Sequence, residues 1–448
     1  MQRSEILSSV IFALALASTG VAAQDEPSPL ADDHWPQWRG PLSSGVAPSG
    51  HPPLEWGEGR NVRWKVPLLG LGHSSPVVWG DRIYVTTAIP FGEPGEPVPD
   101  DAPGAHDNAP VTRQHQFAVM AFDRRSGEVL WHTKVREQLP FAGAHVSASL
   151  ASASPVTDGQ RVYAFFGSHG LYCLDRDGEV LWSHDLGVMQ VKHGHGEGAS
   201  PVLHGDTLAI NWDHEGQSFV VAFDAATGAE RWRAERGEVT SWSTPIAVSH
   251  GGRTQLIVSG SENVRAYDLE SGEVIWHCSG LSHNVVASPV AGRGMVFVGS
   301  SYEKRAMYAI RLAGASGDIT DTDRVAWSRR RRTPYVPSPL LYGEWLYFLN
   351  HYQGVLSRVR AEDGAEPVGP FRLEGLFNIY ASPVGAAGRV YITDRDGTTL
   401  VLSHDDEAPE ILALNRLEDR FSASAAIAGD ELFLRGERFL YCLAESDG

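Results

Sequence analysis

The chain has 448 residues, with 47 Gly, 27 Pro and 13 Trp, and a formal charge of -18 from 37 basic and 55 acidic side chains. So many turn formers and aromatic residues favour short strands over long helices, and the acidic balance repels phosphate backbones and anionic lipid surfaces, which excludes nucleic acid as an expected partner. Three cysteines, Cys173, Cys278 and Cys442, are an odd count and exclude a disulfide framework. Cys173 and Cys442 each sit in a Leu-Tyr-Cys-Leu phrase, where the residue type reads as a buried apolar thiol.

Residues 1–23 carry Arg3, an apolar run over 6–17 and the small-residue exit Gly20-Val21-Ala22-Ala23. That pattern predicts a secretory signal peptide, its run too short for a membrane span, and a chain that is periplasmic or secreted with no transmembrane segment once the signal is removed. Residues 24–60, rich in Pro, Gly and acid, predict an extended N-terminal arm, pinned to the body by Trp35 and Trp38 of Trp35-Pro36-Gln37-Trp38-Arg39-Gly40-Pro41.

From 61 to 446 two phrases recur. The first pairs a small residue with Ser/Thr and Pro: Ser75-Pro76, Ser154-Pro155, Ser200-Pro201, Thr244-Pro245, Ser288-Pro289, Ser338-Pro339, Ser382-Pro383, and Ser424-Ala425 without the proline. Successive intervals from Pro76 to Ala425 are 79, 46, 44, 44, 50, 44 and 42 residues. All but the first fit a four-stranded propeller blade of roughly 40 to 50 residues. The first is lengthened by a surface insertion over about 91–115, whose Pro, Gly and Asp content marks a long loop.

The second phrase, Ala-x-Asp-x-x-x-Gly-x-x-x-Trp, occurs at 121–131, 222–232 and 266–276, and in shortened form at 174–182. It predicts strand, tight turn, strand. Asp123, Asp175, Asp224 and Asp268 accept from turn amides, Gly127, Gly178, Gly228 and Gly272 supply a positive φ, and Trp131, Trp182, Trp232 and Trp276 pack on neighbours. Trp64 and Trp327 stand at the equivalent place in units that lack the full phrase. The eighth unit has three strands before the chain ends, so the strand holding Trp64 is expected to complete it. The predicted fold is all-β: an eight-bladed propeller of four-stranded antiparallel blades, closed by N- and C-terminal strands sharing one blade.

These phrases resemble the tryptophan-docking motif of the pyrroloquinoline quinone (PQQ) repeat superfamily, and the resemblance covers nearly all of 61–444. With the Trp-Pro-x-Trp-Arg-Gly-Pro segment, the chain looks most like an exported branch of PQQ-like propellers. The superfamily includes quinoprotein dehydrogenases, which hold PQQ and Ca²⁺ in a central funnel, and non-catalytic propellers such as the outer-membrane assembly lipoprotein. For the dehydrogenases the resemblance implies an adjacent Cys-Cys pair over the quinone, an acidic and amide set for Ca²⁺, and often a Cys-x-x-Cys-His haem site. Neither cysteine motif is present in this sequence.

In a propeller, the loops entering the innermost strands lie on the face where ligands usually bind. Here they hold His73, His145, His193, His195, Trp242, His283, Asn284, Tyr335, Asn378 and Tyr380. The rings offer flat faces and the amides and imidazoles offer hydrogen bonds, a lining suited to a polar small molecule, a glycan or a protein partner. His193 and His195 in one glycine loop, with Glu197, also have donor types that suit Zn²⁺, Cu²⁺ or Fe²⁺. The same groups serve equally to bond strand ends. The run Arg329-Arg330-Arg331-Arg332 reads either as a solvated face or as an anion clamp beside the funnel. The expectation is a monomeric, non-catalytic, exported scaffold that binds through its funnel face. The alternative is a PQQ- or metal-dependent oxidoreductase acting on alcohols or sugars.

Overall fold

The computed structural model describes residues 33–350, 354–404 and 407–445, so the signal peptide expected over 1–23 lies outside the described residues. Eight antiparallel sheets follow one another along the chain. Blade 3 is typical, with strands Val202–His204, Thr207–Trp212, Ser218–Asp224 and Glu230–Arg236 running from axis to rim. Blades 1, 2 and 4 to 7 occupy 77–138, 156–184, 246–279, 290–329, 340–372 and 384–416. Blade 8 joins 426–443 to Val62–Pro67, where Trp64 pairs with Cys442 and Lys65 with Tyr441. The ring therefore closes through backbone hydrogen bonds between the two ends of the repeat region, leaving no open seam between first and last blades.

Second and third strands are buried on both faces because each blade is covered by two neighbours. The described apolar core accordingly divides into seven clusters, six lying between successive blade pairs from 1/2 to 6/7 and the seventh spanning blades 7, 8 and 1. Each fully buried Val, Leu, Ile or Phe contributes about 1.5–3 kcal/mol relative to exposure, which explains the Val/Ile-rich runs in the second strands. The three cysteines are free and buried in these layers. Burial pushes the Cys173 thiol up to about 12.

At the turn end of the blades, the Trp indole of one blade lies over the turn glycine of the next. Trp64, Trp131, Trp182, Trp232 and Trp327 donate Nε1–H to the carbonyls of Arg124, Arg176, Ala225, Leu269 and Ala361 at 2.7–3.2 Å. A Cβ on Gly127, Gly178, Gly228, Gly272 or Gly364 would come within 2.5–2.8 Å of the docked ring, and all five glycines have positive φ. Only glycine meets both demands. Trp276 differs: it is fully buried, but its Nε1–H goes to Gln255 Oε1 in its own blade at 2.9 Å. The turn it would have met is replaced by a longer connection whose segment Gly317–Asp318 adds a parallel strand beside Trp276.

The Ser/Thr of the other phrase has an equally definite role. The amide at each such position donates to the hydroxyl of the next blade's residue: Ser75 to Ser154, Ser154 to Ser200, Ser200 to Thr244, Thr244 to Ser288, Ser288 to Ser338, Ser338 to Ser382 and Ser382 to Ser424, at 2.8–2.9 Å. Where blade 8 meets blade 1, the Arg435 guanidinium donates to the Ser74 carbonyl and hydroxyl. The result is a belt of hydrogen bonds around the axis. Those amides face the channel and have no strand partner there, so a side-chain acceptor is the way to satisfy them.

The arm is laced across the same channel. Trp35 exchanges both backbone hydrogen bonds with Val78 in blade 1, Pro36 accepts from Thr157 in blade 2, Ser44 accepts from Leu341 in blade 6, and Gly385 in blade 7 bonds Gly45 and Ala47. Between these anchors, Arg39 is 3% exposed and donates to the carbonyls of Pro339 and Pro383, both at 2.9 Å, and of Ser44 at 3.3 Å. Burial lowers its guanidinium to about 9, so it stays charged at neutral pH.

Candidate functional site

A cavity of about 480 Å³ opens on the axis from the face bearing the inner-strand entry loops and narrows onto the hydroxyl belt. Trp38 forms its floor, because the arm bonds inner-strand residues that lie beyond the belt from those loops. The funnel is thus blind. Its lining includes His73, His145, His193, His195, Trp242, Asn284, Tyr335 and Tyr380. Two residues expected on this face do not line the cavity. The His283 side chain is 59% exposed and lies 3.6 Å from Glu262, and Asn378 is held at φ 51° while its carbonyl accepts from the Arg395 amide.

The structure adds residues that the entry loops alone do not reveal. His106, from the insertion, joins the funnel, as do Tyr302 and Glu303 from the loop between the second and third strands of blade 5. Those inter-strand loops share a face with the entry loops, since each blade reverses direction at every strand. His106 comes in because the insertion is stitched down: Asn108–Ala109 pairs with Ala144–His145, and Asn108 Nδ2 donates to the His193 carbonyl at 2.8 Å. That bond holds His193 at φ 58°, a left-handed value costly for a side chain of its size.

Four imidazoles therefore cluster on one side of the funnel. Ring centroids of His106 and His193, His106 and His195, His145 and His195, and His193 and His195 lie 4.7–5.3 Å apart. Three Nδ1 atoms are engaged locally, His106 with Gly104 O at 2.7 Å, His193 with Pro103 O at 3.2 Å and His145 with Ser147 Oγ at 2.7 Å. Burial, then the neighbouring imidazoles, hold His195 down at about 4, so this ring is neutral at physiological pH, and burial likewise lowers His145. His73, against Arg435, Arg395 and Arg420, is lowered to about 3, chiefly by burial. Among the described residues no group of three or more His, Cys, Asp or Glu is disposed to hold a metal ion.

The polar lining is largely committed to itself. Glu197 accepts from the Ser168 amide at 2.7 Å and from the Ser168 hydroxyl, and burial raises its carboxyl to about 7. Trp242 donates Nε1–H to Gly196 O at 2.8 Å, Lys192 Nζ is held by Glu303 at 2.9 Å and the His283 carbonyl at 3.0 Å, and Asn284 contacts the Tyr335 hydroxyl at 3.4 Å. The arginine run is tied down as well. Arg329 and Arg332 both bond Glu366, and Arg330 lies over the Tyr308 ring at 5.3 Å.

PQQ is a planar tricarboxylate, and its catalytic use here would require cationic or amide donors around it with a Ca²⁺ ligand set. The funnel carboxylates Asp107, Glu197 and Glu303 are not grouped for a metal, and its Lys192 is already paired. No cysteine lines it. The residues present do not fit that cofactor pair.

The family model described as outer membrane protein assembly factor BamB matches residues 57–210, 115–368 and 215–448, overlapping spans that together take in all eight blades. Among solved structures, BamB from Moraxella catarrhalis is 15% identical over 85% of this chain and 98% of that one, with a TM-score of 0.42. Quinohemoprotein alcohol dehydrogenase from Comamonas testosteroni is 10% identical over 93% and 81%, with a TM-score of 0.62. The computationally designed Ika8 protein is 10% identical over 76% and 97%, with a TM-score of 0.52. At such identities the likenesses to the dehydrogenase and to Ika8 speak to fold alone. No protein of curated function matches the sequence.

Proposed function

The chain belongs to the PQQ-like repeat propeller family whose model is described as outer membrane protein assembly factor BamB, and from that premise we propose that it is an exported, non-catalytic scaffold that binds through its funnel face. The observation that carries this reading is the blind funnel itself. It ends on Trp38, presents aromatic rings and imidazoles, and commits its Lys192 to Glu303 and its Glu197 to Ser168. Such a lining suits a neutral polar ligand, a saccharide or an uncharged peptide segment of a partner protein, held by ring stacking and hydrogen bonds. The family description, an assembly factor, accords with a binding role. No helix among the described residues is long and apolar enough to cross a membrane.

Calorimetric titration with neutral oligosaccharides and uncharged peptides tests the reading. Saturable binding is expected, weakened at least tenfold in a Trp242→Ala, Tyr335→Ala double variant by loss of stacking worth about 1.5 kcal/mol. The fold shared with a quinohemoprotein dehydrogenase motivates one further assay: protein incubated with PQQ and Ca²⁺, then offered alcohols and sugars with a reducible dye. Turnover that disappears on changing funnel residues overturns the scaffold reading in favour of the oxidoreductase.

A further inference from the structure

A second cavity lies off the axis, between blades 2 and 3 and beneath the insertion. It has a volume of about 620 Å³, larger than the funnel, and the loop 193–197 separates the two. Phe141, Phe165, Phe166, Leu150, Met189 and Val188 form an apolar part of its wall. His169 also lines it, 5% exposed and stacked between Phe117 at 4.1 Å and Phe141 at 5.3 Å, and burial holds its imidazole neutral with a value of about 3.

Among the carboxyl groups that line this chamber, the one that burial desolvates most is Glu197. Its carboxylate receives only the Ser168 amide and hydroxyl, and no Lys, Arg or His perturbs it. Lys192 lines the same chamber but its ammonium is drawn off to Glu303 and the His283 carbonyl on the funnel side. Asp100 and Asp101 of the insertion and Glu215 also line the chamber, so among the described residues its acidic groups outnumber its lysine. A carboxylate desolvated without a counter-ion is costly to the fold, and a bound cation relieves that cost while apolar walls favour a hydrocarbon body. A chamber of several hundred cubic ångströms with apolar walls and one or two convergent polar groups has the form of a small-molecule site.

We propose that this off-axis chamber is a binding site for a small organic amine, its ammonium hydrogen-bonded to the Glu197 carboxylate and its aromatic or alkyl body lodged among Phe141, Phe165, Phe166 and Met189. The negative field of the whole chain draws such a cation in. Glu197 also lines the funnel, but the apolar body lodges on the chamber side of the loop 193–197, so this site stands or falls separately from the stacking on Trp242 and Tyr335 that the scaffold reading uses.

The test uses the full chain at neutral pH and three probes of one shape: phenethylamine, 2-phenylethanol and 3-phenylpropionate, followed by calorimetry. Phenethylamine is expected to bind at one site, about tenfold or more tighter than the alcohol because a charge-assisted hydrogen bond replaces a neutral one, with the carboxylate weakest. Glu197→Gln, an isosteric change, should abolish the preference for amine over alcohol. Val188→Trp, at a half-exposed wall position, should block all three probes while preserving the far-ultraviolet circular dichroism and melting temperature, and Tyr380→Ala, across the funnel, should leave amine binding unchanged. Equal affinity for amine and alcohol, an amine preference that survives Glu197→Gln, or loss of amine binding in Tyr380→Ala overturns the proposal, as does no binding of any probe.

Discussion

The two ends of each blade are built on opposite plans. At the turn end, five junctions repeat one device, an indole seated on the next blade's glycine. At the funnel end no two loops are alike, and polar groups pair wherever neighbours permit. A repeated device distributes stability evenly around the ring, so each copy is costly to lose. Individual loops carry little of the stability and are free to differ, which is where a binding role can be accommodated.

The sharpest break is at the turn end. Trp232→Ala removes a ring that seats on Gly272 and bonds Leu269 O, and should cost about 3–5 kcal/mol in chemical denaturation. Trp276→Ala should cost a similar amount but respond differently to a second change: Gln255→Leu should remove part of its penalty, because Gln255 is the partner left unbonded. The axial plug comes next. Arg39→Ala strands three carbonyls that the guanidinium now satisfies, with an expected loss of about 2–3 kcal/mol and earlier cleavage of the arm in limited proteolysis.

Two pH slopes of opposite sign separate the buried groups of the funnel end. His73 and His169 have folded values of about 3 against an ordinary 6.5. The unfolded chain takes up their protons first, so stability falls as pH drops below 6.5 and continues to fall towards 3. His169→Phe, which keeps the stack with Phe117 and Phe141, should recover about 2 kcal/mol at pH 5. Glu197 behaves conversely. Its folded value of about 7 lies above the ordinary 4.5, so the folded chain binds the proton longer and stability falls as pH rises from 4.5 to 7, then levels. Glu197→Gln should flatten that segment and leave the protein more stable at pH 8 by on the order of 2 kcal/mol. Urea denaturation across pH 4 to 8 reads both.

Smaller effects test whether the belt is a joint structure. Ser200→Ala removes the acceptor for the Ser154 amide and should cost about 1 kcal/mol, the usual scale for one buried hydrogen bond. At the small end of the range, Tyr380→Ala on the funnel rim should change stability by less than about 1 kcal/mol.

Much of this was legible from residue order alone. The Asp-x-x-x-Gly-x-x-x-Trp spacing states a hairpin, a positive φ and a packing ring, and the Ser-Pro intervals count the blades, because each blade must bury the same two faces against the same kind of neighbour. Even the arm's aromatic anchors could be picked out, with Trp35 fully buried and Trp38 at the floor of the funnel. The funnel was legible only in part. His145, His193 and His195 come together as their loop positions suggest, but His106 joins them from a long insertion whose landing place depends on Asn108 reaching a carbonyl 85 residues away in sequence. His283, one residue from the lining Asn284, turns outward to Glu262.

What the sequence by itself determined was the repeating architecture: blade number, the strand order that closes the ring, and the residues that fasten one blade to the next. These follow from local spacing and from a burial demand that every blade meets in the same way. What only the tertiary structure decided was the partnership of groups brought together from different blades, such as Glu197 with Ser168, Lys192 with Glu303, Trp276 with its own blade, and Arg39 on the axis. A buried polar group must find a partner wherever the fold delivers one, and that address is set by three-dimensional proximity, on which spacing along the chain is silent.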